Sequence, residues 1–251
     1  WSAALARERR PIRAAVGSLV PSPDGWTLLA PKGRTIARAD AVILASTMLS
    51  PALAPAAHLP VEAIRGQVTR LAETAASRRL QSCVAFGGYL SPTVGGTHLA
   101  GATYTRGGFS PTDWPVAVQA DDHQRTLGLF PEALARLFDP APSVLGGRAA
   151  IRAVTPDRQP IAGPLCDAAA LAEAYGHLRF DAKRLDGGAP AFLEGVFAVT
   201  GLGSRGLVTA PLMAELAVSQ MLGEPWPVDR AMTASVHPNR FLIRDLRRRR
   251  I

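Results

Sequence analysis

The amino-acid sequence predicts a mixed α/β (α+β) fold, in which a partial Rossmann-like domain is interrupted by a mostly antiparallel β-sheet domain. The chain has 251 residues, of which 47% are hydrophobic and 19% charged, as in packed globular proteins. Its 23 Gly and 21 Pro separate short apolar runs, which favours a turn-rich sheet protein over a helix bundle. At 196–222 an apolar strand, a glycine loop and a helical pattern follow one another, which is typical of nucleotide-binding α/β domains.

Residues 1–58 are predicted to form the first part of the Rossmann-like domain. A short antiparallel meander is expected, because turns rich in Pro and Gly separate three apolar runs: 12–20, 26–30 and 35–38. The uninterrupted apolar run 41–45 predicts a strand that is buried on both faces in a parallel sheet. Residues 51–60 are rich in Pro and Ala and are interpreted as a linker.

Residues 59–165 are predicted to form the inserted sheet domain. Its expected strands are 61–71, 82–91, 97–104 and 144–154. A helix is expected at 120–138 with a break at Pro131, because proline lacks a backbone donor and clashes with the preceding turn. Asp157 follows the last strand in a Thr-Pro-Asp turn, where a carboxylate is expected to cap the turn.

Residues 166–251 are predicted to return to the Rossmann-like domain, with a last strand at 196–200 and a last long helix at 207–222. Between them lies the sequence Gly-x-Gly-x-x-Gly at Gly201–Gly206, called the glycine loop below. Glycines let the backbone approach a ligand closely, and the N–H groups that open a helix attract anions. A phosphate-bearing cofactor is therefore expected here. Because Glu224 falls in a turn and not at a strand end, the loop is interpreted as a second cofactor contact rather than a complete fingerprint.

The positive charge is concentrated at the C-terminus. The chain carries a net charge of +8, and its last twelve residues hold six arginines against one aspartate. Such a segment binds polyanions such as nucleic acids by releasing their counterions. A solvated chain end has the same composition, so both interpretations remain open.

Cysteine usage and hydropathy exclude other classes of protein. Cys83 and Cys166 are far apart and show no metal-ligand spacing, so reduced thiols in a cytoplasmic protein and no metal site are expected. No run of about 18 apolar residues is present, so no membrane span is predicted. The chain begins at Trp1 without a signal pattern and is expected to start within a longer protein.

Several motifs together resemble the family of D-amino-acid-oxidase-like flavoenzymes. They are the apolar run 41–45, Arg-Gly-Gln at 65–67, the Arg-x-x-x-x-Asp-x-x-Pro-x-x-Gly signature at 152–163, and the glycine loop. Within this group, four segments are similar to the oxidoreductase half of bacterial bifunctional enzymes that modify the tRNA wobble uridine: 87–92, 101–104, 201–207 and 237–241.

The resemblance implies FAD-dependent removal of a carboxymethyl group, as glyoxylate, from 5-carboxymethylaminomethyl(-2-thio)uridine in tRNA. It also implies a separate methyltransferase domain that uses S-adenosylmethionine. Two alternatives remain open: an oxidase of small amines such as glycine or sarcosine, and a basic RNA-binding module without catalysis.

The implied substrate carries a carboxylate, which arginine binds through two parallel hydrogen bonds. Arg152 and Arg205 are therefore the candidate carboxylate-binding residues, and Tyr89 is a candidate wall of the substrate pocket. The expected cofactor contacts are Ala45, Gln67, Gly201, Leu202, Gly203, Ser204, Arg205, Gly206 and Leu207. Gln67 has an alternative role in pairing backbone groups. The expected tRNA-facing residues are His237, Asn239, Arg240, Arg244, Arg247 and Arg248.

One part of the family pattern does not occur in these 251 residues. The N-terminal Gly-x-Gly-x-x-Gly strand-turn-helix, which holds the pyrophosphate of FAD in the family, is missing, as is the methyltransferase domain. We therefore expect this chain alone to bind FAD weakly or not at all, and the N-terminal FAD-binding segment to belong to the same parent protein.

Overall fold

The structure, a computed structural model, describes residues 11–107, 116–184 and 191–251. The strands in chain order are β1 (Ser18–Ser22), β2 (Gly25–Leu29), β3 (Thr35–Ala39), β4 (Val42–Leu44), β5 (Glu62–Ala72), β6 (Val84–Ala85), β7 (Tyr89–Leu90), β8 (Thr97–Gly101), β9 (Thr105–Arg106), β10 (Val144–Val154), β11 (Ile161–Cys166) and β12 (Phe192–Thr200). The α-helices are α1 (Ala120–Gly128), α2 (Glu132–Ala135), α3 (Ala168–Ala174), α4 (Gly206–Leu222), α5 (Arg230–Val236) and α6 (Arg240–Arg247). The chain divides into two units: unit 1 combines Trp1–Pro60 with Asp157–Ile251, and unit 2 is Val61–Pro156.

Unit 1 contains two three-stranded sheets. The first is the antiparallel meander β1-β2-β3, and the second has the order β11-β12-β4. Strand β4 lies parallel to β12, with Val42 opposite Val196 and Leu44 opposite Ala198, which confirms the predicted parallel strand. Helix α4 packs on this second sheet through Met213, Leu216 and Ala217, which are buried with Val199 and Val236.

Unit 2 is an antiparallel sheet with the order β10-β5-β8-β7-β6, and β9 pairs with β5. A cluster of buried apolar side chains joins the sheet to α2 and to the turn that follows it: Leu71, Leu90, Ala100, Leu134 and Phe138. Side chains alternate between the two faces of a strand. Along β5, therefore, Arg65, Gln67 and Thr69 point to one face, and Gly66 and Val68 point to the other.

In unit 2, one predicted helix is confirmed and one predicted strand is wrong. The predicted helix 120–138 is interrupted around Pro131, where α1 has ended and α2 begins, as expected. The predicted strand 82–91 is wrong. It is the short hairpin β6-β7, because Phe86 N–H donates to the carbonyl of Gly88 and turns the chain at the two glycines.

Unit 1 departs from the predictions in four places. Strand β1 begins at Ser18 and not at 12. The predicted linker 51–60 is packed instead, since Leu53, Ala56 and Leu59 are buried. The predicted boundary at 165 puts most of β11 in the sheet domain. Strand β11 instead pairs with β12 of unit 1, with Ile161 opposite Thr200. Two helices, α5 and α6, follow the helix that was predicted to be the last long one.

Within the described ranges, no helix is long and apolar enough to cross a membrane. The same residues contain no group of three or more His, Cys, Asp or Glu side chains arranged to hold a metal ion. Both cysteines are free thiols.

Candidate functional site

The glycine loop leaves the sheet of unit 1 at the carboxyl end of β12. Gly201 and Gly203 have φ angles of 64° and 60°, a conformation that other residues adopt only with strain. Among the described residues, no side chain caps the N-terminus of α4, and the side chains of Ser204, Arg205 and Leu207 are exposed. The start of this 17-residue helix therefore lies among exposed side chains and has no side-chain cap, and the helix dipole favours an anion there.

Ala45 lies at the same edge of this sheet. It follows β4, which runs parallel to β12, so the carboxyl ends of both strands point in one direction. Thr200 ties the two ends together, since its hydroxyl donates to the carbonyl of Thr47 at 2.6 Å. The structure thus brings Ala45 and the glycine loop to one edge. An uncapped helix start beside exposed backbone fits the anionic groups of a dinucleotide such as FAD.

Gln67 lies in unit 2, and its predicted contact with the cofactor stays a prediction. Its side chain is completely buried in unit 2. Its carbonyl oxygen accepts from Arg65 at 2.9 Å and from the N–H of Gln119 at 2.8 Å, and its amide donates to the carbonyl of Gln119 at 2.8 Å. The side chain therefore holds the segment before α1 against β5, the alternative role that the sequence left open.

A buried ion pair that sequence reasoning missed lies beside Gln67. Arg65 and Asp122 are both almost fully buried and contact one another directly, and Arg65 also donates to the carbonyl of Ala117 at 2.7 Å. Two charges far from water are tolerated only when they are paired in this way. The contact fastens α1 to the centre of the sheet.

Arg152 and Tyr89 lie on the opposite face of the unit 2 sheet. In antiparallel pairing, residues directly opposite one another share a face. Arg152 lies opposite Ile64, two residues from Gly66, while Tyr89 lies opposite Gly101, which in turn lies opposite Val68. The register therefore places both predicted substrate-binding side chains on one face.

The small residues of this face decide where the side chains lie. The guanidinium of Arg152 covers Gly66 so closely that any Cβ at position 66 would overlap it, and it donates to the carbonyl of Thr103 at 3.3 Å. The hydroxyl of Tyr89 would lie 3.1 Å from a Cβ at Gly101. Both side chains are half-buried. The absence of a side chain at Gly66 and Gly101 thus leaves room for the side chains of Arg152 and Tyr89 close to the sheet backbone.

The pKa of Tyr89 reflects both its burial and the nearby charge of Arg152. Burial raises the pKa of the Tyr89 hydroxyl, while the positive charge of Arg152 lowers it in part. Tyr89 therefore keeps its proton at neutral pH and presents a hydrogen-bond donor next to a cation. A donor beside a half-buried guanidinium suits a carboxylate. Arg205, the other candidate, lies exposed in the glycine loop of unit 1.

The residues predicted to face tRNA surround one cavity of about 830 Å³ in unit 1. We call it the C-terminal groove; its lining comprises Leu171, Tyr175, Leu178, Phe192, Trp226, Arg230, Thr233, Ala234, His237, Asn239, Arg240, Ile243, Arg244, Arg247 and Arg248. All six predicted residues are among them. Sequence reasoning missed the aromatic residues and Arg230, which lie outside the basic tail.

Three of the six predicted residues hold the groove together instead of facing outward. Arg240 forms a paired contact with Asp157, at 2.8 and 3.0 Å, and Asp157 also accepts from the N–H of Gln159 as the predicted turn cap. Asn239 is buried and accepts from the thiol of Cys166 at 2.9 Å. His237 accepts from the N–H of Asn239 at 3.1 Å, and burial with nearby Arg240 lowers its pKa to about 4. Phosphate contact by Arg244, Arg247 and Arg248 stays a prediction.

Comparison with known proteins agrees with this geometry. Residues 4–220 match the family model described as FAD dependent oxidoreductase. The chain is 42% identical over 229 residues to the "tRNA 5-methylaminomethyl-2-thiouridine biosynthesis bifunctional protein MnmC" of Pseudomonas paraeruginosa, covering 89% of the chain and 34% of that protein. The protein of the same name from Pseudomonas putida is 42% identical over 219 residues, covering 85% of the chain and 33% of that protein. The chain thus spans about a third of the length of these relatives.

Solved structures show the same fold at low sequence identity. Glycine oxidase from Geobacillus kaustophilus superposes with a TM-score of 0.60 at 22% identity, covering 87% of this chain and 50% of that chain. Iminodiacetate oxidase from Chelativorans sp. BNC1 gives a TM-score of 0.58 at 19% identity, covering 88% and 52%. An open glycine loop at the carboxyl ends of parallel strands, this shared architecture and a family match over most of the sequence lead to one conclusion: the chain belongs to the FAD dependent oxidoreductases.

Proposed function

We propose that the chain forms the C-terminal part of an FAD-dependent enzyme that removes the carboxymethyl group of 5-carboxymethylaminomethyl(-2-thio)uridine at the tRNA wobble position. The observation that carries this proposal is the Arg152 guanidinium lying over Gly66 beside Tyr89, since the leaving fragment ends in a carboxylate. The identity of 42% to relatives named for 5-methylaminomethyl-2-thiouridine biosynthesis supports tRNA as the carrier of that fragment.

In this proposal Ala45 and the glycine loop would hold FAD, and the N-terminus of α4 would favour its negative charge. Bound FAD supplies the chemistry of accepting two electrons, as a hydride, from the C–H bond next to the substrate nitrogen. The protein has to position that bond, so no protein nucleophile is required.

The side chains of unit 2 bind and orient the substrate. Arg152 binds the carboxylate of the glycine fragment with two charge-assisted hydrogen bonds, and the protonated hydroxyl of Tyr89 donates a third. Loss of the hydride from carbon and of the N–H proton to solvent leaves a C=N bond between the fragment and the nitrogen of the uridine aminomethyl group. Water adds across this bond, which breaks to release glyoxylate and leave the aminomethyl uridine.

The same proposal names the wider context. A methyltransferase domain that uses S-adenosylmethionine acts on the aminomethyl product, and the whole enzyme acts on tRNA in the cytoplasm. The relatives are named as a "bifunctional protein", which supports the two activities.

A small-amine oxidase is the second candidate, because glycine oxidase and iminodiacetate oxidase share the fold. Their names denote substrates that also carry a carboxylate next to an amine. The arginine-lined groove of unit 1 favours the polyanionic substrate, since a free amino acid makes no use of it.

Our first prediction uses a hybrid enzyme, in which this chain replaces the residues it matches in the Pseudomonas paraeruginosa relative. With tRNA that carries 5-carboxymethylaminomethyl-2-thiouridine, we expect glyoxylate release, measured by chromatography. Arg152→Ala is expected to lower kcat/KM about 100-fold, mainly by raising KM, because the carboxylate of the bound substrate loses its positively charged partner. Arg152→Lys should restore part of it.

Arg148→Ala is the matched control, because Arg148 lies four residues away on the same face of β10 and is exposed. It should change kcat/KM less than about two-fold. A hybrid that contains flavin but releases no glyoxylate from tRNA would contradict the proposal. Consumption of free glycine or sarcosine with hydrogen peroxide release would favour the second candidate.

A further inference from the structure

The C-terminal groove combines flat aromatic surfaces with unpaired positive charge. Phe192 and Trp226 each remain 46% exposed although they line a cavity of about 830 Å³, and Tyr175 is half-buried beside them. Ligand sites in proteins have volumes of about 300 to 1,000 Å³. Exposed aromatic rings of this kind offer faces on which a planar ring can stack.

Five arginines line the groove, and they differ in how they are held. Arg240 is neutralised by Asp157. Arg230, Arg247 and Arg248 take part in no ion pair among the described residues. No carboxylate is among the residues that line the groove. The site therefore has a surplus of positive charge.

Arg244 adds a donor that lacks an acceptor. Its Nε is buried and has no hydrogen-bond partner among the described residues, and its distance of 3.8 Å to Asp245 is too long for a hydrogen bond. Its guanidinium lies 4.9 Å from the ring centroid of Phe241, which holds it in place. A buried donor without a partner is costly, and the carboxylate of Asp245 offsets part of the charge that Arg244 brings to the lining of the groove.

A ligand that matches both properties has a flat aromatic part and an anion a short distance away. We propose that the C-terminal groove binds an unpaired nucleotide of an RNA, with its base against Trp226 and Phe192 and its phosphate near Arg244, Arg247 and Arg248. This assignment rests on the proposed tRNA substrate and adds a second place where the RNA is held, in unit 1. The groove shares no residue with the glycine loop.

The test measures fluorescence anisotropy of a labelled single-stranded RNA of about twelve nucleotides with the 251-residue chain. Trp226→Ala should weaken binding about ten-fold, because one stacked base is lost, and Trp226→Phe should restore most of the affinity. Arg247→Glu with Arg248→Glu should weaken binding and lower the slope of log K against log salt by about 1.4, as expected for two lost phosphate contacts. A fully paired RNA duplex should bind about ten-fold more weakly than the single strand.

The matched control is Arg34→Glu with Arg38→Glu, which changes the net charge equally at two exposed positions of the meander in unit 1. It should leave the affinity within about two-fold. An equal loss of RNA affinity in both double variants would overturn the inference, because RNA binding would then depend only on the total charge of the protein. Unchanged RNA affinity in the groove variants would also overturn the inference. If the same substitutions lower the melting temperature of the hybrid enzyme, the groove binds a polypeptide segment of that enzyme instead.

The inference and the proposed function fail separately. Groove variants of the hybrid enzyme should raise KM for tRNA about ten-fold and leave kcat unchanged. If glyoxylate is released but KM does not move, the groove assignment is wrong and the reaction stands. If the chain binds RNA as described but the hybrid releases no glyoxylate, the reaction is wrong and the groove assignment stands.

Discussion

At position 66, the absence of a side chain decides where Arg152 can lie. A Cβ on this residue would occupy the place of the guanidinium, which is the mobile end of a long side chain. The backbone at 66 has no positive φ, so alanine fits the strand itself. Gly66 therefore acts through Arg152 and positions it.

The second prediction follows from this contact. Gly66→Ala should displace the Arg152 guanidinium and raise KM for tRNA in the hybrid enzyme about as much as Arg152→Ala does. The free energy of unfolding should change by less than about 1 kcal/mol, because a flexible side chain can move away. Steady-state kinetics and thermal unfolding measure the two effects.

Gly128→Ala is the control for this substitution. It lies in α1 of the same unit, and a Cβ there would meet nothing within 4 Å. Alanine should stabilise this position by about 0.5 to 1 kcal/mol with KM unchanged. Normal KM in Gly66→Ala would show that Arg152 does not need its position over Gly66.

Residue types were predicted from the sequence more readily than the direction in which they point. Arg65, Gly66 and Gln67 are consecutive, and the pattern of polar residues does not show which face is covered. Asp122 decides it, because this distant residue pairs with Arg65 and turns Gln67 inward with it. Such a long-range contact is invisible in a local pattern, so the sequence alone could not show that the side chain of Gln67 is buried.

At the scale of elements, the glycine loop and α4 were predicted to within one residue, because apolar residues and glycines mark them locally. The end of β12 at Thr200 was predicted too, but the strand begins at Phe192 and not at 196. Helices α5 and α6 were missed, since they have 7 and 8 residues and too few turns for a clear periodic pattern. The signal for α5 was present in Asp229, whose carboxylate accepts from the N–H of Met232 at 2.8 Å.

The corner between α5 and α6 gives the third prediction, on pH. Burial lowers the pKa of His237 from 6.5 to about 4, so between these values the unfolded chain binds a proton that the folded chain does not. Stability is therefore fully present above pH 6.5 and falls as the pH drops towards about 4, by about 3 kcal/mol in total. Denaturant unfolding at several pH values measures this loss.

His237→Asn should remove most of this dependence, because an amide oxygen can still accept from the N–H of Asn239 without titrating. Some slope should remain in both proteins, since burial also lowers the pKa of His58. Parallel stability curves of the two proteins would show that His237 is not the group responsible.

At the scale of the whole molecule, the sequence separated the parallel pair β4 and β12 of unit 1 from the antiparallel sheet of unit 2. Strand β11 was not predicted, and the boundary at 165 left most of it in the sheet domain, because only its pairing with β12 shows that it belongs to unit 1. The site was predicted in pieces for the same reason: the sequence identified Arg152, Tyr89 and the glycine loop, but strand register brings Arg152 and Tyr89 to one face.

The fourth prediction concerns the cofactor. The chain has one Gly-x-Gly-x-x-Gly run, at Gly201–Gly206, and so one of the two anion cradles of the family pattern. The purified 251-residue chain should show no flavin absorption band and should bind added FAD at least about ten-fold more weakly than the hybrid enzyme. Fluorescence quenching of FAD measures both affinities. A yellow protein with hybrid-like affinity would contradict the prediction.

The contact between Arg240 and Asp157 has a practical consequence for handling the protein. Asp157 is the first residue of the second segment of unit 1, and Arg240 is the first residue of α6, so this ion pair connects the start of the segment to a helix more than 80 residues later. A truncation before Arg240 would remove this ion pair and leave Asp157 without it, so residues 240–251 are not a dispensable tail.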